Sequence, residues 1–295
     1  MKLATLRISD TGSTAAGGAA RHGSRTEAVR VDDDGHCTGL GFADVGELLA
    51  QDGWLDTAAT ARASGTRHPL DAADLAPVVP RPGKVVCVGL NYRNHILEMG
   101  RELPEHPTLF AKYADALIGP RDTIELAEES RQTDWEAELA LVVGETVRRA
   151  DEARARRAIA GFTVLNDVTM RDWQYRTKQW LQGKTFEATT PVGPCLVTPD
   201  ELPGGTAPAL TMTCSVDDEP MQKADTSELV FSPVELVRYV STVTTLRPGD
   251  VIATGTPGGV GHARKPPRYL ADGSRLVTEI SGIGRLENIA RRAVD

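Results

Sequence analysis

Apolar residues in this chain fall mostly in short, strand-length runs punctuated by Gly, Pro, Asn and Asp. Val85-Val86-Cys87-Val88-Gly89-Leu90 is such a run, and it opens into a loop at Asn91-Tyr92. Thr108 to Tyr113, Phe162 to Leu165, Pro194 to Val197 and Leu210 to Val216 read the same way, as do residues 3–8 and Ala28 to Val31 near the N-terminus. Helical spacing is rarer. Phe42 to Ala50 places Val45, Leu48 and Leu49 on one face, and Asp151 to Ala160 combines high helix propensity with an Arg-rich exposed side. Ser232-Pro233 predicts a helix start, with Ser as N-cap and Pro at the first helical position. This pattern predicts a β-rich α+β fold.

One alternating run carries more than structure. In Asp134-Trp135-Glu136-Ala137-Glu138-Leu139, side chains two apart share a strand face. Glu136 and Glu138 therefore stand side by side, and Trp135, Ala137 and Leu139 take the other face of a half-buried strand. Asp167 ends the second apolar run, where a strand gives way to a loop. Three converging carboxylates repel one another unless a cation sits between them. A hard divalent ion such as Mg²⁺ or Mn²⁺ suits all-oxygen ligands better than Zn²⁺, which prefers His and Cys. The plain alternative is that Glu136 and Glu138 form the solvated side of an amphipathic strand.

Arg171, Gln174 and Lys184 follow Asp167 closely enough to reach the same cavity, and they supply two cations and an amide. On adjacency alone, Arg171 is a partner for Asp172. His95 and Glu98 are i,i+3 neighbours if residues 94–99 are helical. Spacing alone reads them as a touching pair on a surface helix. The alternative is a general base whose imidazole is oriented by a carboxylate. Trp173, Tyr175 and Trp180 are expected to pack rather than to bind ligand.

The ordered set D-x-E-x-E-L-A-L-V-V-G, N-D-V-T-x-R-D-x-Q, G-K-T-F, T-P-V-G-P and R-P-G-D-V-I-A-T-G-T-P-G-G resembles the fumarylacetoacetate hydrolase family. The likeness runs roughly from Arg81 to Asn288. It implies a mixed β-sandwich roll with a small N-terminal domain, here residues 1–78 ahead of a catalytic region 79–295. It also implies a strand pair around Val251 and Val277 and a homodimer. One Mg²⁺ or Mn²⁺ per subunit is expected on Glu136, Glu138 and Asp167. His95, Glu98 and Lys184 become the expected catalytic groups, with the first two on a mobile lid. Arg171, Gln174, Lys184 and Thr256 become the expected substrate contacts. Lys112 matches the family's P-x-x-F-x-K strand and is read as a structural residue near the site.

The implied reaction is hydrolysis of a carbon–carbon bond in a small 2,4-dioxo acid such as an acylpyruvate. Alternatives are decarboxylation of an oxaloacetate-like 2-oxo acid, isomerisation or hydration of an unsaturated one, and a ligand-binding relative without activity.

Composition narrows the rest. A net charge of −8 argues against binding nucleic acid through its phosphates. Cys37, Cys87, Cys195 and Cys214 are too scattered for a disulfide scaffold or zinc site and read as buried reduced thiols. The first residues lack the apolar core of a signal peptide, and no apolar run approaches the ~20 residues of a membrane span. A cytoplasmic protein is expected. Gly255 to Gly261 resembles a phosphate loop but lacks the following Lys-Ser/Thr, so nucleotide binding is not expected.

Overall fold

The computed structural model describes residues 1–8, 25–62, 68–98 and 102–292. The Gly- and Ser-rich stretch from Thr11 to Ser24, read from sequence as a loop, lies outside the described residues. In chain order the N-terminal part comprises β1 (Lys2–Ile8), β2 (Arg25–Val31), β3 (His36–Gly39), α1 (Val45–Leu49), α2 (Trp54–Thr60) and β4 (His68–Pro69). There follow β5 (Val85–Gly89), α3 (Arg93–Glu98), β6 (Thr108–Lys112), β7 (Leu117–Ile118), β8 (Ile124–Leu126), β9 (Thr133–Asp134) and β10 (Ala137–Val143). Next come α4 (Glu152–Ala158), β11 (Ile159–Asn166), β12 (Thr169–Met170), α5 (Arg171–Gln174), α6 (Leu181–Lys184) and β13 (Thr190–Val197). The chain closes with β14 (Thr211–Val216), β15 (Glu219–Asp225), α7 (Pro233–Val243), β16 (Val251–Ala253), β17 (Arg275–Ile280) and β18 (Gly284–Arg292).

The largest sheet runs β4-β3-β2-β1-β13-β11-β10-β16-β5-β6, with β7 added beside β13. A second sheet runs β15-β14-β17-β18-β8. The apolar face between them gathers Leu139, Leu141, Phe162 and Val164 from the large sheet with Met212, Val216, Leu276 and Ile280 from the small one, and Trp135 from the segment before β10 packs there too. This is the expected β-rich sandwich, and the expected N-cap of α7 is a full capping box between Ser232 and Glu235.

Three expectations change. Val251 and Val277 do not pair: β16 lies in the large sheet and β17 in the small one. The helix after Asp151 ends at Ala158, because Ile159 and Ala160 already hydrogen-bond as strand β11. The acidic strand is not half-buried, since every residue of β10 is buried. Its alternation still sorts the faces. Ala137, Leu139, Leu141 and Val143 point between the sheets. Ala140 and Val142 point the other way, into a second core with Val45, Leu48 and Leu49 of α1 and with Val78 and Val79. The N-terminal region thus covers the back of the central strands, and β1 joins their sheet by pairing with β13.

Candidate active site

Strand register assembles the site. In β10 and β11 Ala137 stands opposite Asn166. One step further Glu136 faces Asp167, whose N–H donates to the Glu136 carbonyl at 2.8 Å. On the other side of β10, Ala140 pairs with Ala253 of β16, and Ala253 pairs with Cys87 of β5. Following those strands to the same end of the sheet brings Gly255, Thr256, Gly89 and Leu90 to Glu138. The site is therefore one end of the sheet face whose other end is the apolar core behind α1.

The ends are fixed by hydrogen bonds. Gly255 N–H donates to Glu138 Oε2 at 2.7 Å. Gly255 has φ +107°, and a Cβ there would lie 3.0 Å from the Val88 carbonyl, so a residue without a side chain is required. Gln222 ties the acidic strand to the loop: its Oε1 accepts from Ala137 N–H, and its Nε2 donates to Thr256 Oγ1 and the Pro257 carbonyl. Asn91 fixes the start of the segment leading to α3, donating to the carbonyls of Thr254 and Phe231 and accepting from Phe231 N–H.

Around this frame lies a cavity of about 220 Å³. Glu136, Glu138, Arg171, Gln174, Lys184 and Thr256, all singled out from sequence, line it. Asp167 is fully buried and meets the wall through Lys184. Lys184 Nζ donates to Glu136 Oε2 at 2.6 Å and Asp167 Oδ2 at 2.7 Å, and stands 4.8 Å from the centre of the Phe110 ring. Arg171 does not pair with Asp172. Its Nε holds Asp134 Oδ2 at 2.8 Å, one Nη holds Glu136 Oε1 at 2.7 Å and the other Gln174 Oε1 at 3.0 Å. Asp172 instead accepts from Ser130 Oγ and Arg131 N–H. α3 forms over Arg93–Glu98 as expected, but the side chains of His95 and Glu98 lie outside the described residues.

Asp134 escaped the sequence reading, and Lys112, read as a structural residue near the site, belongs to the charge cluster itself. Lys112 is fully buried and donates to Asp167 Oδ1 at 2.6 Å and the Val168 carbonyl at 3.1 Å. A Lys closing the Thr-Leu-Phe-Ala run of a strand was the available signal. Asp134 continues the i, i+2, i+4 alternation of Glu136 and Glu138, but the chain breaks strand geometry at Trp135 and Glu136. Asp134 consequently turns to Arg171 and to the N–H groups of Trp135, Gly261 and His262. Tyr175 and Trp180, expected only to pack, also line the cavity. Trp180 does both, meeting Phe110 edge-on with ring centres 5.4 Å apart.

The electrostatics are those of four buried carboxylates against three buried cations. Burial, together with Asp167 and Glu136, pushes the Glu138 carboxyl well above its usual range. Burial acts on Asp167 in the same sense, but Lys112 and Lys184 overcome it and hold that carboxyl below its ordinary value. Burial lowers and the carboxylates raise the Lys184 and Arg171 pKa values; the carboxylates prevail, so both groups stay charged.

One oxygen each from Glu136, Glu138 and Asp167 lies within 4.8 Å of the others. Oxygens around Mg²⁺ at about 2.1 Å stand at most about 4.2 Å apart. Small side-chain rotations would close this set on an ion, and the all-oxygen donors suit a hard divalent one. The carboxylates therefore fit a metal by their donor type and spacing. Cys37, Cys87, Cys195 and Cys214 are all buried, and no disulfide joins them among the described residues. No helix among the described residues is long and apolar enough to cross a membrane.

Comparison with known proteins follows the same lines. The fumarylacetoacetate (FAA) hydrolase C-terminal family matches residues 84–290. The mitochondrial oxaloacetate tautomerase FAHD2A of Bos taurus is 45% identical over 233 residues, covering 77% of this chain and 73% of that protein. A solved fumarylacetoacetate hydrolase from Exiguobacterium antarcticum superposes with a TM-score of 0.82 at 31% identity, covering 99% of this chain and 100% of that one. A 5-carboxymethyl-2-hydroxymuconate delta-isomerase from Mycobacterium smegmatis superposes at 0.76 with 30% identity, covering both chains fully.

Proposed function

Because the chain belongs to the fumarylacetoacetate hydrolase family, we propose that it is a metal-dependent tautomerase of a small 2-oxo dicarboxylic acid of the oxaloacetate type. The observation that carries this reading is the permanently charged Lys184 ammonium, buried in the cavity wall between two of the three ligand-competent carboxylates. A charged hydrogen-bond donor fixed beside an ion site stabilises the enolate oxygen through which keto and enol forms interconvert.

In that reaction a proton leaves the carbon next to the 2-oxo group, the C–H electron pair forms the new carbon–carbon double bond, the carbonyl π pair moves to the 2-oxo oxygen, and that oxygen takes a proton. Glu136, Glu138 and Asp167 would hold Mg²⁺ or Mn²⁺, which when bound supplies Lewis-acid polarisation of the 2-oxo acid. Lys184 donates toward the oxygen on which charge develops. Arg171 keeps Glu136 and Gln174 in place, and Gln174 and Thr256 offer hydrogen bonds along the wall. His95, oriented by Glu98, is proposed on the sequence argument as the base that takes the carbon-bound proton. The cavity is smaller than the roughly 300–1,000 Å³ of drug-sized sites, and it matches a compact diacid.

Hydrolysis of an acylpyruvate is the second reading, favoured by the likeness to the Exiguobacterium antarcticum hydrolase and by the H-x-x-E pair. It shares the enol chemistry and adds an attacking water. A homodimer remains the proposed assembly, on family resemblance. The experiment is a panel of oxaloacetate and several acylpyruvates with Mg²⁺, following enol absorbance and identifying products by mass. Rapid keto–enol exchange of oxaloacetate without cleavage of acylpyruvates supports the proposal, and the reverse result replaces it with the hydrolase.

A further inference from the structure

The sequence reading of the Gly255–Gly261 turn stopped one residue short of a side chain that belongs to the cavity. His262 is half-buried and lines it together with Tyr175. Its backbone N–H donates to Asp134 Oδ2 at 2.9 Å, and that of Gly261 donates to Asp134 Oδ1 at 2.7 Å. The same Asp134 holds Arg171 Nε. The imidazole is therefore anchored to the carboxylate scaffold through the main chain, not through its ring.

The ring itself is oriented from one side only. Nδ1 stands 2.9 Å from the Tyr269 hydroxyl, and the Tyr175 ring lies 5.4 Å away, centre to centre. Burial with nearby Asp134 raises the Tyr269 pKa, so its hydroxyl keeps its proton. When that hydroxyl donates to Nδ1, the ring proton sits on Nε2, which has no hydrogen-bond partner among the described residues.

The other basic groups of the site are engaged in the scaffold or, like Lys184, at the ion end. Lys112 and Lys184 are held by Asp167 and Glu136, and each Arg171 nitrogen is held by Asp134, Glu136 or Gln174. A 2-oxo dicarboxylate brings two carboxylates. One, with the 2-oxo oxygen, belongs at the ion end, where Glu136, Glu138 and Asp167 are buried. The second must find its donor toward the mouth, where Tyr175 is 58% exposed and His262 presents Nε2.

We propose that His262, oriented by Tyr269, binds the second carboxylate of the substrate and selects 2-oxo dicarboxylates over 2-oxo monocarboxylates. This rests on the tautomerase reading for the substrate class, but it is tested by binding alone. Malate and lactate are matched, unreactive 2-hydroxy acids that differ by the distal carboxylate, and oxalate engages the ion end only. Calorimetric titration of the Mg²⁺-loaded protein is expected to show malate binding at least about tenfold tighter than lactate, the range of a charge-assisted hydrogen bond.

His262→Ala is expected to bring the two within about threefold. His262→Gln, which restores an N–H donor, is expected to recover part of the preference, and Tyr269→Phe to lose part of it. Oxalate affinity serves as the folding control. A wild type without malate preference, a His262→Ala variant that keeps it, or one that loses oxalate as well would overturn the assignment. Malate preference in a protein that fails to exchange oxaloacetate upholds the His262 assignment and overturns the activity reading instead.

Discussion

Glu138 concentrates the physical conflict of the site. It is 1% exposed, accepts one backbone N–H from Gly255, and sits beside Asp167 and Glu136. Its carboxyl is held above the ordinary value of 4.5, first by burial and then by those two neighbours. The stability it contributes to the ion-free fold is therefore complete below the unfolded value and lost as pH rises through the folded one. Asp167 has the opposite sign: held low by Lys112 and Lys184, it stabilises above its unfolded value and loses that effect as pH falls through the folded one. A divalent ion binds ionised carboxylates only, so its stabilising effect grows with pH. The rise in melting temperature caused by Mg²⁺ is expected to be larger near pH 8 than near pH 5.5. Glu138→Gln is expected to abolish most of that rise while changing the ion-free melting temperature little, because burial already favours the neutral form of this carboxyl. Scanning calorimetry with and without chelator decides it. An Mg²⁺ response that survives the substitution would contradict the ligand assignment.

Residues were legible in the sequence where one pattern fixed both face and neighbour, as for Glu136, Glu138 and Asp167. Arg171 was legible only as a cation, because its partner Asp134 depends on the break in strand geometry between β9 and β10. The partner of Lys112 and the place of His262 stayed hidden for a similar reason. Their roles follow from which strand end or loop reaches Asp167 and the cavity mouth, and adjacency in the chain does not encode that.

Among elements, the pair α5 and α6 shows how short helices can hold a buried Lys in a cavity wall. Gly183 approaches so closely that a Cβ there would lie 2.3 Å from Gln174 N and 2.5 Å from Gln174 Cα. Backbone cannot yield as a flexible side chain can, so α6 must move. Lys184 follows directly. Gly183→Ala is expected to lower turnover on the order of 100-fold, the scale of a misplacement near 1 Å, while retaining Mg²⁺ binding. Parallel turnover and calorimetric measurements check this, and wild-type turnover would show that α6 is not what positions Lys184. The α5–α6 contact was not visible in the sequence, where G-K reads only as part of a motif. The strands and the α7 cap were visible, because periodicity and capping are local. Helix α4 came out shorter than its propensity because pairing between β10 and β11 claims Ile159.

At the scale of the molecule, the first 78 residues are more than an appendage to the sheet. β1 pairs with β13, Arg7 bonds Asp122 and Asp74, and α1 covers the face behind Ala140 and Val142. A chain of residues 79–295 would expose that core. It is expected to show no cooperative thermal transition, and a cooperative transition with intact Mg²⁺ binding would show instead that the catalytic region folds alone. Sequence periodicity gave the layers but could not show this coverage, since both faces of β10 are apolar beyond Glu138 and only the fold says what lies on each.

The proposed function depends on Glu136, Glu138 and Asp167 holding a divalent ion beside Lys184 while a small 2-oxo diacid exchanges its proton. The most direct measurement is the rate of oxaloacetate keto–enol exchange, followed by enol absorbance in stopped flow while Mg²⁺ is titrated into chelator-stripped protein. Wild type is expected to rise from the uncatalysed rate to saturation with Mg²⁺, and Glu138→Gln to stay near the uncatalysed rate at every concentration. Full exchange in stripped wild type, or an undiminished rate in Glu138→Gln, would contradict it.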